Sequence, residues 1–177
     1  MPKEIERKFL VSGFPIISAN LIEESIIMQG YVSTEPEFRI REKQSILARD
    51  GNVLYLKKNF LETKTYKMTL KTNGDMVRNE IELDIPKDFF LDTKEMIGKP
   101  FIEKIYRKYD LPDYYELEVS LVDKDTEHSF YYAEVEFDSE DEAEKFDIGL
   151  IPNLIKEITD DNNYKMKNYW IKTRGGN

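Results

Sequence analysis

The stretch Glu4-Ile5-Glu6-Arg7-Lys8-Phe9-Leu10-Val11 carries the clearest pattern in this chain. Side chains alternate between the two faces of a β-strand, so Glu4, Glu6 and Lys8 share one face. Carboxylates ligate hard divalent cations, and cations bind phosphate oxygens, so this face suits a metal-bound polyphosphate. An ordinary antiparallel strand also has one polar, solvated face, and a single strand does not separate the two interpretations.

The composition indicates a globular protein, because 40% of the 177 residues are hydrophobic and 34% are charged. This length suits one domain, 1–177, with a core of its own. No apolar run approaches the ~20 residues that a membrane-spanning helix needs, and the first predicted strand leaves no room for a signal peptide. The absence of cysteine fits a reducing compartment. We therefore expect a cytoplasmic protein that does not associate with membranes.

Charge and residue usage exclude several classes of function. The formal net charge is −9, whereas nucleic-acid binders present a basic field, so we expect no nucleic-acid partner. Without cysteine the chain has no disulfide, no thiolate zinc site and no cysteine nucleophile. The sole histidine, His128, cannot build a multi-histidine metal site and lies in a predicted turn. An anionic substrate would need locally concentrated cations or metal ions.

Period-two alternation is the dominant signal along the chain, and turn residues at Asp50-Gly51-Asn52 and Asn73-Gly74-Asp75 suit hairpins. The predicted strands are Glu4–Val11, Glu24–Val32, Glu37–Lys43, Lys64–Thr72, Met76–Ile85, Phe101–Tyr109, Tyr115–Val122 and Tyr131–Phe137, with Val53–Lys58 as a further short candidate. About eight strands at hairpin spacing predict a closed antiparallel barrel or a sandwich.

Three segments are predicted to be helical. Pro86–Ile97 begins with a tolerated proline and ends before a glycine. A capping-box pattern opens a short helix over Ser139–Phe146, and basic residues late in Asp160–Lys172 favour a C-terminal helix. The stretch Ser45–Glu62 is the best candidate for a long, mobile connection.

Charged residues recur on one face of almost every predicted strand. Some faces carry mainly cations and others mainly carboxylates: Arg39 and Arg41; Lys71; Arg78, Glu80 and Glu82; Glu116 and Glu118; Glu134 and Glu136. One interpretation is a solvated outer face, which is the ordinary case for any single strand. Solvated faces tend to mix signs, however, because like charges repel. The joint pattern therefore favours charges that face inward around a wet lumen.

These motifs resemble those of the CYTH superfamily, also called the triphosphate tunnel metalloenzymes. The first strand resembles the family's Glu-x-Glu-x-Lys signature. Further matches follow in the family's order: Gln29-Gly30-Tyr31, Arg39-Ile40-Arg41, Thr69-Leu70-Lys71, Arg78-x-Glu80-x-Glu82, Glu116-Leu117-Glu118, Ala133-Glu134-Val135-Glu136 and Glu157-Ile158-Thr159-Asp160 with Tyr164. The resemblance spans nearly the whole chain. It implies an α+β, mainly antiparallel fold: an eight-stranded closed tunnel barrel with a charged interior and helices packed outside.

The resemblance also implies a site for a triphosphate with Mg²⁺ or Mn²⁺. The implied phosphate-binding residues are Lys8, Arg39, Arg41, Lys71, Arg78, Lys104, Arg107 and Lys167. The implied metal ligands are Glu4, Glu6, Glu80, Glu82, Glu118, Glu134 and Glu136. The chain has Lys104-Ile105-Tyr106-Arg107-Lys108 where the family has Lys-x-Arg. Either Arg107 reaches inward through a bulge, or Lys104 and Lys108 take the role.

Glu6, Lys8 and Tyr31 are the implied catalytic residues. Tyr31 is either a general base, with its pKa lowered by cations, or a residue that packs across a strand.

The resulting hypothesis is a divalent-metal-dependent triphosphatase acting on inorganic tripolyphosphate or a nucleoside triphosphate. The same phosphate cradle also suits an adenylate cyclase, which forms cyclic AMP and pyrophosphate, or a thiamine triphosphatase. A non-catalytic sensor of polyphosphate or nucleotide is the alternative from a different class. The expected partner is a small-molecule triphosphate, and the chain is expected to be a monomer or a homodimer.

Overall fold

The computed structural model describes residues 2–16, 20–50, 53–56 and 64–175. Its strands are β1 (Lys3–Val11), β2 (Leu21–Thr34), β3 (Glu37–Asp50), β4 (Val53–Leu56), β5 (Lys64–Lys71), β6 (Val77–Asp84), β7 (Ile102–Asp110), β8 (Glu116–Val122), β9 (Phe130–Glu136) and β10 (Leu154–Glu157). Its helices are α1 (Lys87–Ile97), α2 (Glu140–Lys145) and α3 (Met166–Arg174). None of the helices in the described part of the chain is long and apolar enough to span a membrane.

Eight strands close into an antiparallel barrel. Their order is β1-β6-β5-β3-β2-β7-β8-β9, and β9 pairs again with β1. The closing pair sets Glu6 opposite Glu136 and Lys8 opposite Glu134. The strand β4 extends β3 beyond the ring, and β10 pairs with β1. The predicted closed tunnel barrel is therefore confirmed, and the sandwich alternative is wrong.

The alternation in β1 explains why the barrel has a charged inside and an apolar outside. Ile5, Phe9 and Val11 are buried in a cluster that lies outside the barrel wall. Phe146, which follows α2, joins this cluster and packs against Phe9. Because the two faces of a strand point in opposite directions, the outward apolar packing leaves Glu4, Glu6 and Lys8 inside.

The helices α1 and α2 begin and end at the residues that their caps require. Pro86 is the N-cap of α1, and Gly98 ends it in the left-handed conformation at φ 62°, with its amide donating to the Lys94 carbonyl. Ser139 caps α2 by accepting a hydrogen bond from the amide of Glu142. The Glu142 carboxylate in turn accepts one from the amide of Asp138. This is the reciprocal pattern that a capping box predicts, shifted by one residue.

The helix α3 covers one end of the barrel. Met166, Tyr169 and Trp170 are its buried residues, and the Trp170 ring packs against Tyr31 at a centroid distance of 5.7 Å. Arg174, near the end of α3, donates to the Asp123 carboxylate from the turn after β8. The covered end is therefore held by aromatic packing and a buried ion pair.

Two predictions about local structure need correction. Ser45–Asp50 belongs to β3 and Val53–Leu56 forms β4, so this part of the predicted connection is strand. The remainder of that connection, 57–62, lies outside the described residues. The predicted turn at Asp50-Gly51-Asn52 also lies outside them, because Gly51 and Asn52 are not described. The C-terminal helix begins at Met166 and not at Asp160. The Asp161 side chain accepts the amide hydrogen of Asn163, which stabilises a separate turn before the helix.

The strand β10 was not predicted. It has four residues, too few to show alternation, and its pairing with β1 is what makes it a strand.

Candidate functional site

A channel of about 310 Å³ runs inside the barrel, and all eight barrel strands contribute to its wall. Its acidic side chains are Glu4, Glu6, Glu37, Asp75, Glu80, Glu82, Glu118, Glu134 and Glu136. Its basic side chains are Lys8, Arg39, Arg41, Lys43, Lys71, Arg78, Lys104 and Lys165. The strands' charged faces thus point inward, and opposite charges nearly balance.

The two ends of the channel differ in access. At the end covered by α3, Ile158 and Met166 line the wall and are both buried. Lys71, near this closed end, is only 5% exposed. At the other end Glu136 is exposed, and the side chain of Glu116 is 52% exposed. Water and small ions therefore have access from the open end, where β8 begins and β9 ends.

Ion pairs link neighbouring strands across the channel wall. The Lys71 ammonium lies 2.7 Å from one Glu4 oxygen and 2.5 Å from a Glu80 oxygen. Arg78 contacts both Glu4, at 3.1 Å, and Glu6. These pairs hold the charged side chains in place, since the two partners of each pair lie on different strands. They also keep buried charges compensated.

Lys8 and Glu134 form a further pair at 2.6 Å. Burial alone would favour the neutral acid, but Lys8 and Lys104 lower the pKa of Glu134 to about 2. Glu82 also forms ion pairs, with Arg41 at 3.0 Å and with Lys67. These two carboxylates have cationic side chains as their partners.

Glu4, Glu6 and Glu136 form a group that could hold a metal ion. Each offers one carboxylate oxygen, and these atoms lie within 4.8 Å of one another. Burial and the charge of Glu134 raise the pKa of Glu6, although Arg78 opposes the shift. Burial and the nearby Glu118 raise the pKa of Glu136 to about 7. Repulsion between carboxylates is the arrangement that a divalent cation relieves, and an all-oxygen donor set suits a hard cation.

Three arginines of the channel have unsatisfied donors. The Nε atoms of Arg39, Arg41 and Arg78 are buried and have no hydrogen-bond partner in the described part of the chain. A buried donor without a partner costs free energy, so native proteins rarely keep one. Guanidinium groups match the geometry of phosphate oxygens. The three Nε atoms are therefore available to an anionic ligand.

Similarity searches give a consistent picture of the fold. No protein-family model and no curated protein matches the chain. Among solved structures, the inorganic triphosphatase NE1496 is 28% identical, with a TM-score of 0.58 over 96% of this chain and 95% of that one. A second crystal structure of NE1496 gives 29% identity and a TM-score of 0.57, covering 94% of this chain and 96% of that one.

PH1819 from Pyrococcus horikoshii is 15% identical, with a TM-score of 0.61 over 97% of this chain and 99% of that one. At this identity the match shows the shared fold alone. It agrees with the closed barrel. The chain thus has the tunnel-barrel fold that its resemblance to the CYTH superfamily implied.

Most of the predicted site residues come together in the channel. Those that line it are Glu4, Glu6, Lys8, Arg39, Arg41, Lys71, Arg78, Glu80, Glu82, Lys104, Glu118, Glu134 and Glu136. Three predicted residues, Tyr31, Arg107 and Lys167, do not line it.

Tyr31 lies at the closed end of the barrel and is 4% exposed. Its hydroxyl accepts a hydrogen bond of 2.9 Å from Gln29, and its ring packs on Trp170. Burial and the charge of Glu37 raise its pKa, although Arg39 opposes the shift. The prediction required cations to lower this pKa. The surroundings of Tyr31 therefore match the packing alternative.

Arg107 and Lys167 make contacts outside the channel. Arg107 pairs with Glu24 at 2.6 Å and lies over the Phe14 ring. In the described residues β7 pairs with β8 without a bulge, so Lys104 and Tyr106 face inward and Arg107 outward. Lys167 contacts Glu35 and Asn73 at the rim.

Lys104, in contrast, is buried among channel residues. Its ammonium donates to the Tyr132 hydroxyl at 2.8 Å and to the Gln29 side-chain oxygen at 3.3 Å. Burial lowers its pKa well below the ordinary lysine value, although Glu134 opposes the shift. Lys108, the alternative considered with it, pairs at 2.7 Å with Glu116 and at 3.2 Å with Glu118.

Several lining residues were missed by the sequence analysis. Glu37 and Lys43 continue the face that holds Arg39 and Arg41, and Tyr132 continues the face of Glu134 and Glu136. The same alternation could have found them. Lys165 could not be found this way, because it enters the wall from the turn before α3 and contacts Asp75.

Proposed function

We propose that this chain is a divalent-metal-dependent triphosphatase. The substrate is inorganic tripolyphosphate or a nucleoside triphosphate. Water attacks the terminal phosphorus, the bond to the bridging oxygen breaks, and orthophosphate leaves together with the diphosphate product. The observation that carries the proposal is the convergence of Glu4, Glu6 and Glu136 beside arginines whose Nε donors have no partner.

Arginine and lysine side chains bind the substrate. Arg39, Arg41 and Arg78 each keep a buried donor without a partner, so a phosphate oxygen gains a hydrogen bond without breaking one of theirs. Lys8 and Lys71 also line the channel, and their positive charges balance the charge of the substrate. Because the strands fix these groups, the triphosphate is held extended and in one register.

Glu4, Glu6 and Glu136 would hold Mg²⁺ or Mn²⁺ through oxygen ligands. When bound there, such a cation neutralises substrate charge and acidifies a water molecule. The carboxylates themselves position the reacting groups, because Arg78 links Glu4 and Glu6 to the phosphate-binding wall. Because water is the nucleophile, the reaction needs no covalent intermediate. The absence of cysteine from the chain is compatible with this.

The comparison with NE1496 supports hydrolysis over cyclisation. That protein is an inorganic triphosphatase and aligns over 96% of this chain. A cyclase or a thiamine triphosphatase would use the same cradle, and a sensor would need the cations without the carboxylate group. In the channel the cationic side chains and the carboxylates lie beside each other, which favours catalysis over binding alone.

The test is an assay of purified protein with Mg²⁺ or Mn²⁺ and with tripolyphosphate, ATP or thiamine triphosphate. Phosphate release that stops with EDTA supports the proposal. The Glu6→Gln variant should lose the activity, whereas Glu103→Gln, an exposed carboxylate on β7, should keep it. Cyclic AMP as the main product from ATP would overturn hydrolysis in favour of a cyclase. Binding without turnover under either metal would favour a sensor.

A further inference from the structure

An apolar pocket of about 460 Å³ lies beside α1 and α3, and among the described residues it shares no lining residue with the channel. Its volume is typical of a site for a small organic molecule. Most of its wall is aromatic or aliphatic, and the residues that matter below are Tyr31, Val32, Phe38, Phe89, Met96 and Trp170. The function proposed above uses the channel and leaves this pocket without a role.

The pocket has a buried floor and an exposed apolar edge. Trp170 and Tyr31 are 2% and 4% exposed, whereas Val32 and Phe89 are each 45% exposed and Met96 is 86% exposed. A concave apolar surface of this kind is a common sign of a ligand site. An apolar ligand that fills the pocket would remove the side chains at its edge from water, which favours binding.

The polar groups of the pocket favour a negatively charged ligand. Lys99 is the single charged residue that lines it in the described part of the chain. Its ammonium donates to the Gly175 carbonyl, and no carboxylate of the described residues lies within ion-pair distance of it. The Ser33 hydroxyl accepts from the Glu35 amide at 3.2 Å and keeps its own hydrogen to donate. A cationic ligand would find no charged partner in this wall.

We propose that the apolar pocket binds a small amphipathic carboxylate. Its hydrocarbon body lies among Phe38, Phe89 and Trp170, and its carboxylate accepts a charge-assisted hydrogen bond from Lys99. A lone ammonium balances one negative charge, which suits a carboxylate better than a phosphate head group. The ligand is therefore a free carboxylate of the fatty-acid type, and its binding is independent of any chemistry in the channel.

Trp170 is the only tryptophan of the chain, so its fluorescence reports on the pocket without a label. The wild type is titrated at neutral pH with decanoate, decanol and decyltrimethylammonium, all below the concentrations at which they form micelles. Decanoate should give a saturable change, decanol should bind about ten-fold more weakly, and the cation should not bind. Lys99→Gln should weaken decanoate about ten-fold and leave decanol unchanged.

Phe89→Ser and Leu91→Ser form a matched pair. Both side chains belong to α1 and are 45% exposed, but of the two only Phe89 lines the pocket. Phe89→Ser should weaken decanoate and decanol alike, by about five-fold, and Leu91→Ser should leave both Kd values unchanged. The comparison of the three ligands in the wild type tests the proposal even where a variant does not fold.

Several results would overturn the proposal. Decanoate that does not bind, or that binds no more tightly than decanol, excludes a carboxylate site, and so does decanoate binding that Lys99→Gln leaves unchanged. Binding to phosphatidylcholine–phosphatidylglycerol vesicles without binding of decanoate would assign the pocket to a membrane surface. A dimer in sedimentation that Phe89→Ser dissociates would assign it to a second copy of the chain. None of these readouts depends on the proposed hydrolysis.

Discussion

The helix-covered end of the barrel and the channel inside it differ in how their buried polar groups are satisfied. At the closed end, the Asp123 carboxylate accepts hydrogen bonds from the Tyr169 hydroxyl at 2.6 Å, from Arg174 at 2.5 Å and from the Glu103 amide at 3.0 Å. In the channel, the Nε donors of Arg39 and Arg78 have no partner within the described residues. Satisfied groups stabilise a fold, whereas unsatisfied ones await a ligand. The closed end thus stabilises the fold, whereas the channel is the region that we propose binds a ligand.

The largest expected effect is on the closed end. Trp170→Ala removes a buried ring that contacts Tyr31 and Phe101. The free energy of unfolding should fall by about 3–5 kcal/mol, because the cavity cannot be refilled. Urea denaturation followed by circular dichroism measures this. A loss below about 1 kcal/mol would show that α3 does not stabilise the closed end.

The next largest effect is on kcat/KM, and we expect it for an arginine that lines the channel and not for one that faces outward. Arg78→Ala removes a buried donor and leaves Glu4 and Glu6 less compensated, so kcat/KM should fall roughly a hundred-fold. Arg107→Ala is the matched control, because this arginine faces outward and pairs with Glu24. Steady-state phosphate release measures both. Equal losses would contradict the division between inward and outward arginines.

A smaller effect is expected from the ion pair at the closed end, and it depends on pH. Burial favours neutral Asp123, but Arg174, Tyr169 and the Glu103 amide together lower the pKa of this residue. The carboxylate therefore stabilises the fold fully above its unfolded pKa of about 3.9, and this contribution is lost as pH falls through the folded pKa.

Asp123→Asn should thus cost about 2 kcal/mol at neutral pH, since its amide would face donors. The difference from wild type should shrink below about pH 4. Thermal unfolding over a pH series measures it. A difference that does not change with pH would contradict the ionised state of Asp123.

The smallest effect should come from Tyr31. Tyr31→Phe removes the hydroxyl that accepts from Gln29 but keeps the ring that packs on Trp170. Unfolding should cost about 1 kcal/mol less, and hydrolysis should stay within about three-fold of wild type. Kinetics over a pH range measure this. A loss of two orders of magnitude with a changed pH profile would instead make Tyr31 the general base.

The sequence predicted the barrel well because alternation is a local signal. In β1, β3 and β6 the inward residues follow directly from which neighbours are apolar, as Arg39 and Arg41 show beside buried Ile40. Strict alternation also separates inward Lys104 from outward Arg107, whereas the Lys-x-Arg pattern of the family left both residues open. Tyr31 obeys alternation but lies where α3 covers the barrel. That position depends on tertiary packing, which periodicity does not encode.

A second cavity, which adjoins the channel at its open end, could not be predicted for the same reason. Glu116, Asp138 and Glu142 lie on different elements, and their proximity follows from barrel closure and from the place where α2 begins. In the sequence, each of these residues by itself is typical of an ordinary surface carboxylate.

We propose that the inward carboxylates and arginines form one site for a metal and a triphosphate. The most direct test is a crystal of the Glu103→Gln control and of wild type grown with Mn²⁺ and a non-hydrolysable tripolyphosphate analogue, with anomalous scattering used to locate manganese. We expect manganese on Glu4, Glu6 and Glu136 and phosphate oxygens on Arg39, Arg41 and Arg78. Manganese and phosphate on the outer surface, with the channel pairs unchanged, would contradict it.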